Sequence, residues 1–394
     1  MKQGWEIKKL REVCKVIAGQ SPEGKFYNSQ GNGMPFYQGK KEYGEKYIGE
    51  PTTWTTKITK EADAGDILIS VRAPVGPVNF ATQKICIGRG LAAIRAGKNI
   101  DKEFLFNYFI KHESEIEGNA GAVFNSINKT QIENLKIPLP PLSEQKRIVA
   151  ILDEAFAAIA KAKANAEQNL KNAKELFESY LQGVFENPKE NWEVCSLESN
   201  IKLIDYRGRT PVKTESGVRL ITAKNVKLGF LQIEPQEFIA ENNYESWMSR
   251  GIPNFGDVIF TTEAPLANVA QINTMEKLAF AQRIIVMQPK QTKLNQTFLK
   301  YMLLSNPIRN KILGKGTGAT VLGIKSSLLK KIEIYFPKSI QEQQIIVQKL
   351  DALSAETKKL EAIYQQKVND LEELKKSILQ KAFAGELKTE KELV

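Results

Sequence analysis

At 394 residues the chain is long enough to bury the cores of two or three domains. Cys14, Cys86 and Cys195 form no CxxC pair, so neither a disulfide framework nor a zinc knuckle is suggested, and His112 is the only histidine, which excludes a His-rich metal site. The formal net charge of +11 favours a polyanionic partner such as nucleic acid. No apolar run reaches the ~18 residues that would span a bilayer, and MKQGWEIKKL lacks a signal-peptide core, so a cytoplasmic protein without membrane contact is expected.

Residues 1–142 read as short strands broken by Gly, Pro and Asn, such as DILISV and LAAIRA, with a helix near 101–117 that contains His112 in a structural setting. Base readout needs donors that reach base edges, with further contacts to phosphate. The richest stretch lies between Lys25 and Lys46, where Lys25, Tyr27, Asn28, Gln38, Lys40 and Lys41 fall on loops; Arg72 and Arg89 follow strands. Any solvated loop contains Lys and Asn, so the cluster carries more weight than its members.

From Ser143 to about Phe185 there is no proline, and the apolar residues take up a helical period. The helix is expected to start behind Pro140-Pro141 and to stop before Asn187-Pro188. Residues 143–187 are therefore a central helical spacer, whose helix of about 42 residues would rise ~60 Å.

Residues 188–338 repeat the first domain. Trp5-Glu6-Ile7 returns as Trp192-Glu193-Val194, GDILI (65–69) as GDVIF (256–260), Ala73-Pro74 as Ala264-Pro265, GAVFNSI (121–127) as GATVLGI (318–324) and LKIPLP (135–140) as IEIYFP (332–337). Arg89 in CIGRGLAAI is matched with Arg283 in FAQRIIVM, which suggests a shared structural or backbone-binding role for the two. Arg207, Arg209, Lys213, Lys224 and Asn225 are the contact candidates here, with Arg207-Gly208-Arg209 placed where the Gly19-Gln20 turn sits in the first domain. Arg72 follows its strand, whereas Glu263 lies near the same place in the second domain. A helix is expected near 295–313. Tyr43, Tyr47, Trp54, Tyr244 and Trp247 suit core packing better than base stacking.

Residues 339–394 are a distal helical region and tail, with Ser339-Ile340-Gln341-Glu342 forming a capping box and Gly385 ending the helix. A strict heptad places Leu350, Thr357, Tyr364, Leu371 and Ile378 on one seam and Ile346, Leu353, Leu360, Lys367, Leu374 and Lys381 on the other. The matching positions 198 residues earlier are Leu152, Ile159, Ala166, Ala173 and Tyr180, with Ile148, Ala155, Ala162, Asn169, Leu176 and Gly183. One helix is bulky and the other alanine-rich, so they are expected to pair, with antiparallel direction imposed by the topology. Both helical stretches are neutral, and the excess positive charge belongs to the regions outside them. The expected fold is α+β: two similar globular domains separated by a long antiparallel two-helix coiled coil, with an internal pseudo-twofold repeat. Two related but non-identical basic domains on a neutral spacer suit the reading of an asymmetric split site on duplex DNA.

IPLPPLSEQKRIVAILDE (137–154), its weaker copy IYFPKSIQEQQIIVQKLDA (334–352) and the ending LKKSILQKAFAGEL (374–387) resemble the specificity subunits of type I restriction-modification enzymes. SPEGKFYNSQGNGMPFYQGKKEYG (21–44) and DYRGRTPVKTESGVRLITAKNV (205–226) are similar to openings of recognition domains in that family. The resemblance covers essentially the whole chain and implies two target-recognition domains with central and distal helical regions. It also implies a non-catalytic, DNA-binding role in a complex with two modification (methyltransferase) subunits and with restriction (endonuclease/translocase) subunits. No cofactor is then expected in this chain; S-adenosylmethionine belongs to the modification subunit.

The sequence has no Asn/Asp-Pro-Pro-Tyr motif for amino-methyl transfer and no Walker A loop, since GKGTG (314–318) follows a helical pattern instead of a strand. Two other classes remain in view: a basic coiled-coil scaffold with non-specific DNA binding, and a self-sufficient methyltransferase or nuclease with an unrecognised site.

Overall fold

The structure is a computed structural model and describes residues 4–116, 126–207, 210–318 and 320–387. It divides into two compact units, Met1–Glu167 with Gln366–Val394, and Gln168–Gln365. Each unit therefore combines one globular domain with the start of one long helix and the end of the other. The helices run from Leu142 to Glu186 and from Ile340 to Ala384.

The same sheet is built in both units. In the first, Cys14–Ala18, Leu91–Ala96, Ile67–Ser70 and Val78–Phe80 lie side by side in that order, all antiparallel. In the second the order is Ile201–Asp205, Ile284–Pro289, Val258–Thr261 and Val269–Gln271, again antiparallel. The middle strands are buried on both faces, which explains continuous apolar runs such as Ile67-Leu68-Ile69. A two-stranded ribbon also recurs, Glu6–Lys9 with Lys136–Leu139 and Trp192–Ser196 with Glu333–Pro337. Each unit has a second sheet containing a parallel pair: a five-stranded one with Met34–Tyr37 beside Ile85–Ile87 in the first, and a three-stranded one with Val218–Ile221 beside Leu278–Phe280 in the second.

The domain helix of the first unit is Lys102–Ile116. Its counterpart, expected as one helix over 295–313, is two: Gln296–Leu304 and Asn306–Gly314. Ser305 is extended between them (ψ 144°), and Pro307, which has no amide to donate, sits in the first turn of the second piece.

Both long helices begin on a buried glutamine. Gln145 Oε1 accepts from the Asp101 amide at 2.7 Å, and its Nε2 donates to the carbonyls of Asn99 (3.1 Å) and Pro140 (2.8 Å). Gln343 repeats this with the Asn295 amide (2.8 Å) and the carbonyls of Lys293 (2.9 Å) and Pro337 (2.8 Å). The expected capping box at Ser339 is only half made: its Oγ accepts from the Glu342 amide at 3.4 Å, while Glu342 is turned to Lys189 at 2.9 Å.

Within each unit the helix segments run antiparallel. In the first, Ile148 and Leu152 share a core with Leu379, Ala382 and Phe383, Lys375 stacks on Phe156, and Lys163 pairs with Glu372. In the second, Leu181 and Phe185 share a core with Val347 and Leu350. Leu152, Ile159, Ala166, Ala173, Leu350 and Thr357 are buried and Leu353, Leu360 and Leu371 half-buried. Leu176 and Leu374, expected on the seam, are instead 51% and 47% exposed; Phe177 and Lys375 face inward in their place. Tyr180 likewise gives way to Leu181, and Lys381 to Ala382. A helix with 3.6 residues per turn drifts ~20° per heptad, so a strict sevenfold count walks off the buried stripe after a few repeats.

Candidate nucleic-acid interface

The registers fix which positions correspond between the two domains. Ile94 lies opposite Ile67 and Met287 opposite Val258; Leu91 lies opposite Ser70 and Ile284 opposite Thr261. Just beyond, the Val71 amide donates to Gly90 O at 2.9 Å and the Thr262 amide to Arg283 O at 3.0 Å. Arg283 therefore corresponds to Gly90, and Arg89 to Gln282. The sequence match of Arg89 with Arg283 is off by one residue. It aligned like side chains, whereas the backbone aligns Gly with Arg.

By the same register Arg72 corresponds to Glu263. Each closes a bridge to a returning loop, Arg72 with Ser126 and Glu263 with Gly323. That loop is then tied back alike, through Ile127 N to Val71 O (3.1 Å) and Ile324 N to Thr262 O (2.9 Å). One backbone frame thus ends the central strand in both domains while carrying different side chains. In the second domain Glu263, Gln282 and Lys325 help line a concavity of about 380 Å³ there.

The candidate contacts divide into those left free and those used internally. In the first domain Gln38, Lys40, Lys41, Arg72 and Arg89 are exposed, and their side chains make no ion pair or hydrogen bond among the described residues. Lys25 pairs with Glu23 at 2.7 Å. Tyr27 stacks on Phe36 and donates to Pro22 O at 2.8 Å. The Asn28 carboxamide holds its own loop, accepting from the Gln30 and Asn32 amides and donating to Asn32 O.

In the second domain Lys224 is exposed, Lys213 pairs with Glu237 at 2.8 Å, and Arg283 pairs through Nε with Glu263 at 2.9 Å. Arg207 is a strut, bound to the Asp205 carboxylate at 2.5 to 3.0 Å and to Ile324 O at 3.1 Å. Burial pushes the Asp205 carboxyl up, but the hydrogen bonds and charge of Arg207 outweigh it and hold the group below the usual carboxylate value. Asn225 is excluded as a contact. It is fully buried, accepting from the Thr222 amide and hydroxyl and donating to Pro235 O at 2.9 Å. Arg209 and Gly208 lie outside the described residues, as does most of GAVFNSI.

Among the aromatics, Tyr244 is buried and Trp247 Nε1 donates to Phe280 O at 3.0 Å, while Tyr47 is exposed. Burial pushes the Tyr43 hydroxyl well above the usual phenol value, and that of Cys14 thiol up to about 12, which leaves no thiolate there near neutral pH. His112 packs its ring on Tyr108 with centroids 4.4 Å apart.

The profile of the type I restriction modification DNA specificity domain matches twice, over residues 2–171 and 190–370. The chain belongs to the type I restriction-modification DNA specificity family. This specificity chain is 46% identical over 177 residues to a Methanocaldococcus jannaschii protein assigned as the MjaX type I specificity subunit, a stretch covering 44% of this chain and 41% of that one. It is 23% identical to the MjaVIII specificity subunit of the same organism across 98% of this chain and 93% of that one. The EcoKI specificity subunit of Escherichia coli is 25% identical over 73% of this chain and 67% of that one.

Two solved structures share the fold of this specificity chain. One, from a study of complex assembly and conformational transition in a type I R-M system, has a TM-score of 0.80 at 20% identity, covering 98% of this chain and 99% of that one. The HsdS subunit of Thermoanaerobacter tengcongensis has 0.63 at 19%, covering 98% of each. Among the described residues no helix is long and apolar enough to cross a membrane.

Neither Gln282 nor Lys325 stands out in the sequence, and Glu263 does not read there as a contact. Strand register brings out Glu263 and Gln282, because it aligns positions regardless of what the side chains are, and Lys325 follows Ile324, which is tied to Thr262.

Proposed function

We propose that this chain reads a bipartite, asymmetric DNA site, one half-site per globular domain, and does no chemistry itself. The observation that carries the reading is the frame built twice in the same register, whose exposed end bears Arg72, Arg89 and Gly90 in one domain and Glu263, Gln282 and Arg283 in the other. A like frame with unlike donors and acceptors is what two different half-sites require.

Two modification (methyltransferase) subunits, which carry S-adenosylmethionine, dock on the helical regions, and restriction subunits join that core. A groove between the helices and the domain recurs in each unit at matched positions. Asp153, Phe156 and Ile159 line one of about 380 Å³; Asp351, Ser354 and Thr357, each 198 residues later, line one of about 900 Å³. A groove that recurs suits two copies of one partner.

Co-expression with the cognate modification subunit, followed by methylation-sensitive sequencing of the host DNA, tests this. One bipartite asymmetric motif is expected. A contiguous motif, or unmethylated DNA with an active partner, overturns the proposal.

A further inference from the structure

We propose that base choice within each half-site is made at the end of the central strand, at three matched positions: Arg72 and Glu263, Arg89 and Gln282, Gly90 and Arg283. This rests on the reading that each domain binds DNA and adds which side chains choose the base.

The core of each domain shows what is kept. Ile67-Leu68-Ile69-Ser70 and Val258-Ile259-Phe260-Thr261 are buried strands of the same length in the same register. Two residues past Ser70 and Thr261 the side chains change from arginine to glutamate, although the bridge each makes and the backbone hydrogen bond that follows it are the same. Folding does not account for the difference, since these side chains are exposed or half-exposed and the backbone alone makes the shared bonds.

The chemistry at these positions is that of base readout. Arginine binds the O6 and N7 of guanine through two parallel hydrogen bonds, glutamine binds adenine in the same manner, and glutamate accepts from the amino group of cytosine. Arg72 and Arg89 have no ion pair among the described residues, unlike Lys25, Lys213 and Arg207, which are held by Glu23, Glu237 and Asp205. Arg283 is held through Nε by Glu263, and its two terminal nitrogens make no hydrogen bond among the described residues. The ion pair uses Nε alone, so both terminal nitrogens remain to make a two-bond contact, and Glu263 keeps a carboxylate oxygen to accept from a base.

The first domain cannot place a side chain where Arg283 stands. A Cβ on Gly90 would lie 2.3 Å from Gln38 O, so the loop bearing Gln38 closes that position and Arg72 and Arg89 are left to act. The two domains therefore offer different donor patterns on one frame.

The test uses the full chain assembled with its modification subunit, with wild type, Arg72→Gln, Glu263→Gln, Arg283→Lys and Gln282→Ala each selected against a library of randomised duplexes. Arg72→Gln is expected to lose about 10- to 100-fold discrimination at one or two base pairs of one half-site, and the Glu263, Arg283 and Gln282 variants at base pairs of the other. Arg283→Lys keeps the charge and loses the fork, so relaxed choice in that variant separates base reading from general attraction. Unchanged base preferences, or an even loss of affinity across all sequences, overturn the inference while the wild-type motif leaves the DNA-reading role intact. A wild-type complex that selects no sequence overturns both.

Discussion

Gln145 and Gln343, 198 positions apart, hold the starts of the two long helices with the same three hydrogen bonds, each to one amide and two carbonyls of its own domain. Both side chains are fully buried, so no water replaces a lost partner. Leaving a buried donor or acceptor unpaired costs ~1 to 3 kcal/mol. Gln343→Ala is expected to destabilise the chain by roughly 2 to 3 kcal/mol, measured by urea unfolding, and Glu342→Ala on the same turn by about 1 kcal/mol at most, since its pairing with Lys189 is exposed. Equal effects of the two would show that the buried glutamine is not the anchor.

The seam makes a second prediction. Leu350→Ala should cost about 2 to 5 kcal/mol because the side chain is fully buried, whereas Leu374→Ala, on an exposed position of the same helix, should stay within ~0.5 kcal/mol. A strict heptad assigns both to the seam, so thermal or urea unfolding of the pair decides between the two periods. Ala173→Leu, at a buried small position, is expected to cost about 1 to 3 kcal/mol by overpacking.

The Asp205 and Arg207 pair gives a pH dependence with a definite sign. A carboxyl held below its ordinary value contributes stability that is present above about pH 4, its unfolded value, and is lost as pH falls through the lower folded value. Arg207→Ala removes the hydrogen bonds and charge of the guanidinium and leaves burial, which raises the pKa, opposed only by the residue-207 amide and Ser326, so the variant should be less stable than wild type across neutral pH and the gap should narrow as pH drops below 4. Urea midpoints between pH 3 and pH 7 measure it; a gap that widens on acidification contradicts the assignment.

If the long helices set the separation of the two readers, removing one matched heptad from each shortens the rise by about 10 Å, or roughly three base pairs of unread spacer. Methylation sequencing of the shortened chain should return both half-sites unchanged with the shorter spacer. Altered half-sites with the original spacer would disprove the ruler.

The repeat, the strand pattern and the ends of the long helices were legible because each has a local cause. Gly65-Asp66 and Gly256-Asp257 announce the buried strands that follow them, and Pro140-Pro141 and Pro337 announce the helix starts. What was not legible depends on partners distant along the chain or in space. Asn225 reads as a loop donor until Thr222 and Pro235 are seen to consume it. Arg207 reads as a contact until Asp205 and Ile324 O take its nitrogens. The match of Arg89 with Arg283 failed because side-chain identity is a poor guide to register where side chains are free to vary.

The first unit draws part of its core from Leu379, Ala382 and Phe383, more than two hundred residues after Leu152, their neighbour in that core. A ribosome delivers those residues after the whole of Gln168–Gln365. During synthesis the opening domain must wait with an uncovered apolar seat, while the second unit, Gln168–Gln365, has all its parts before the chain reaches Gln366. Of the two units, the one begun earlier is therefore completed later, and a nascent chain stalled before Leu379 presents a sticky half-built surface to chaperones and proteases.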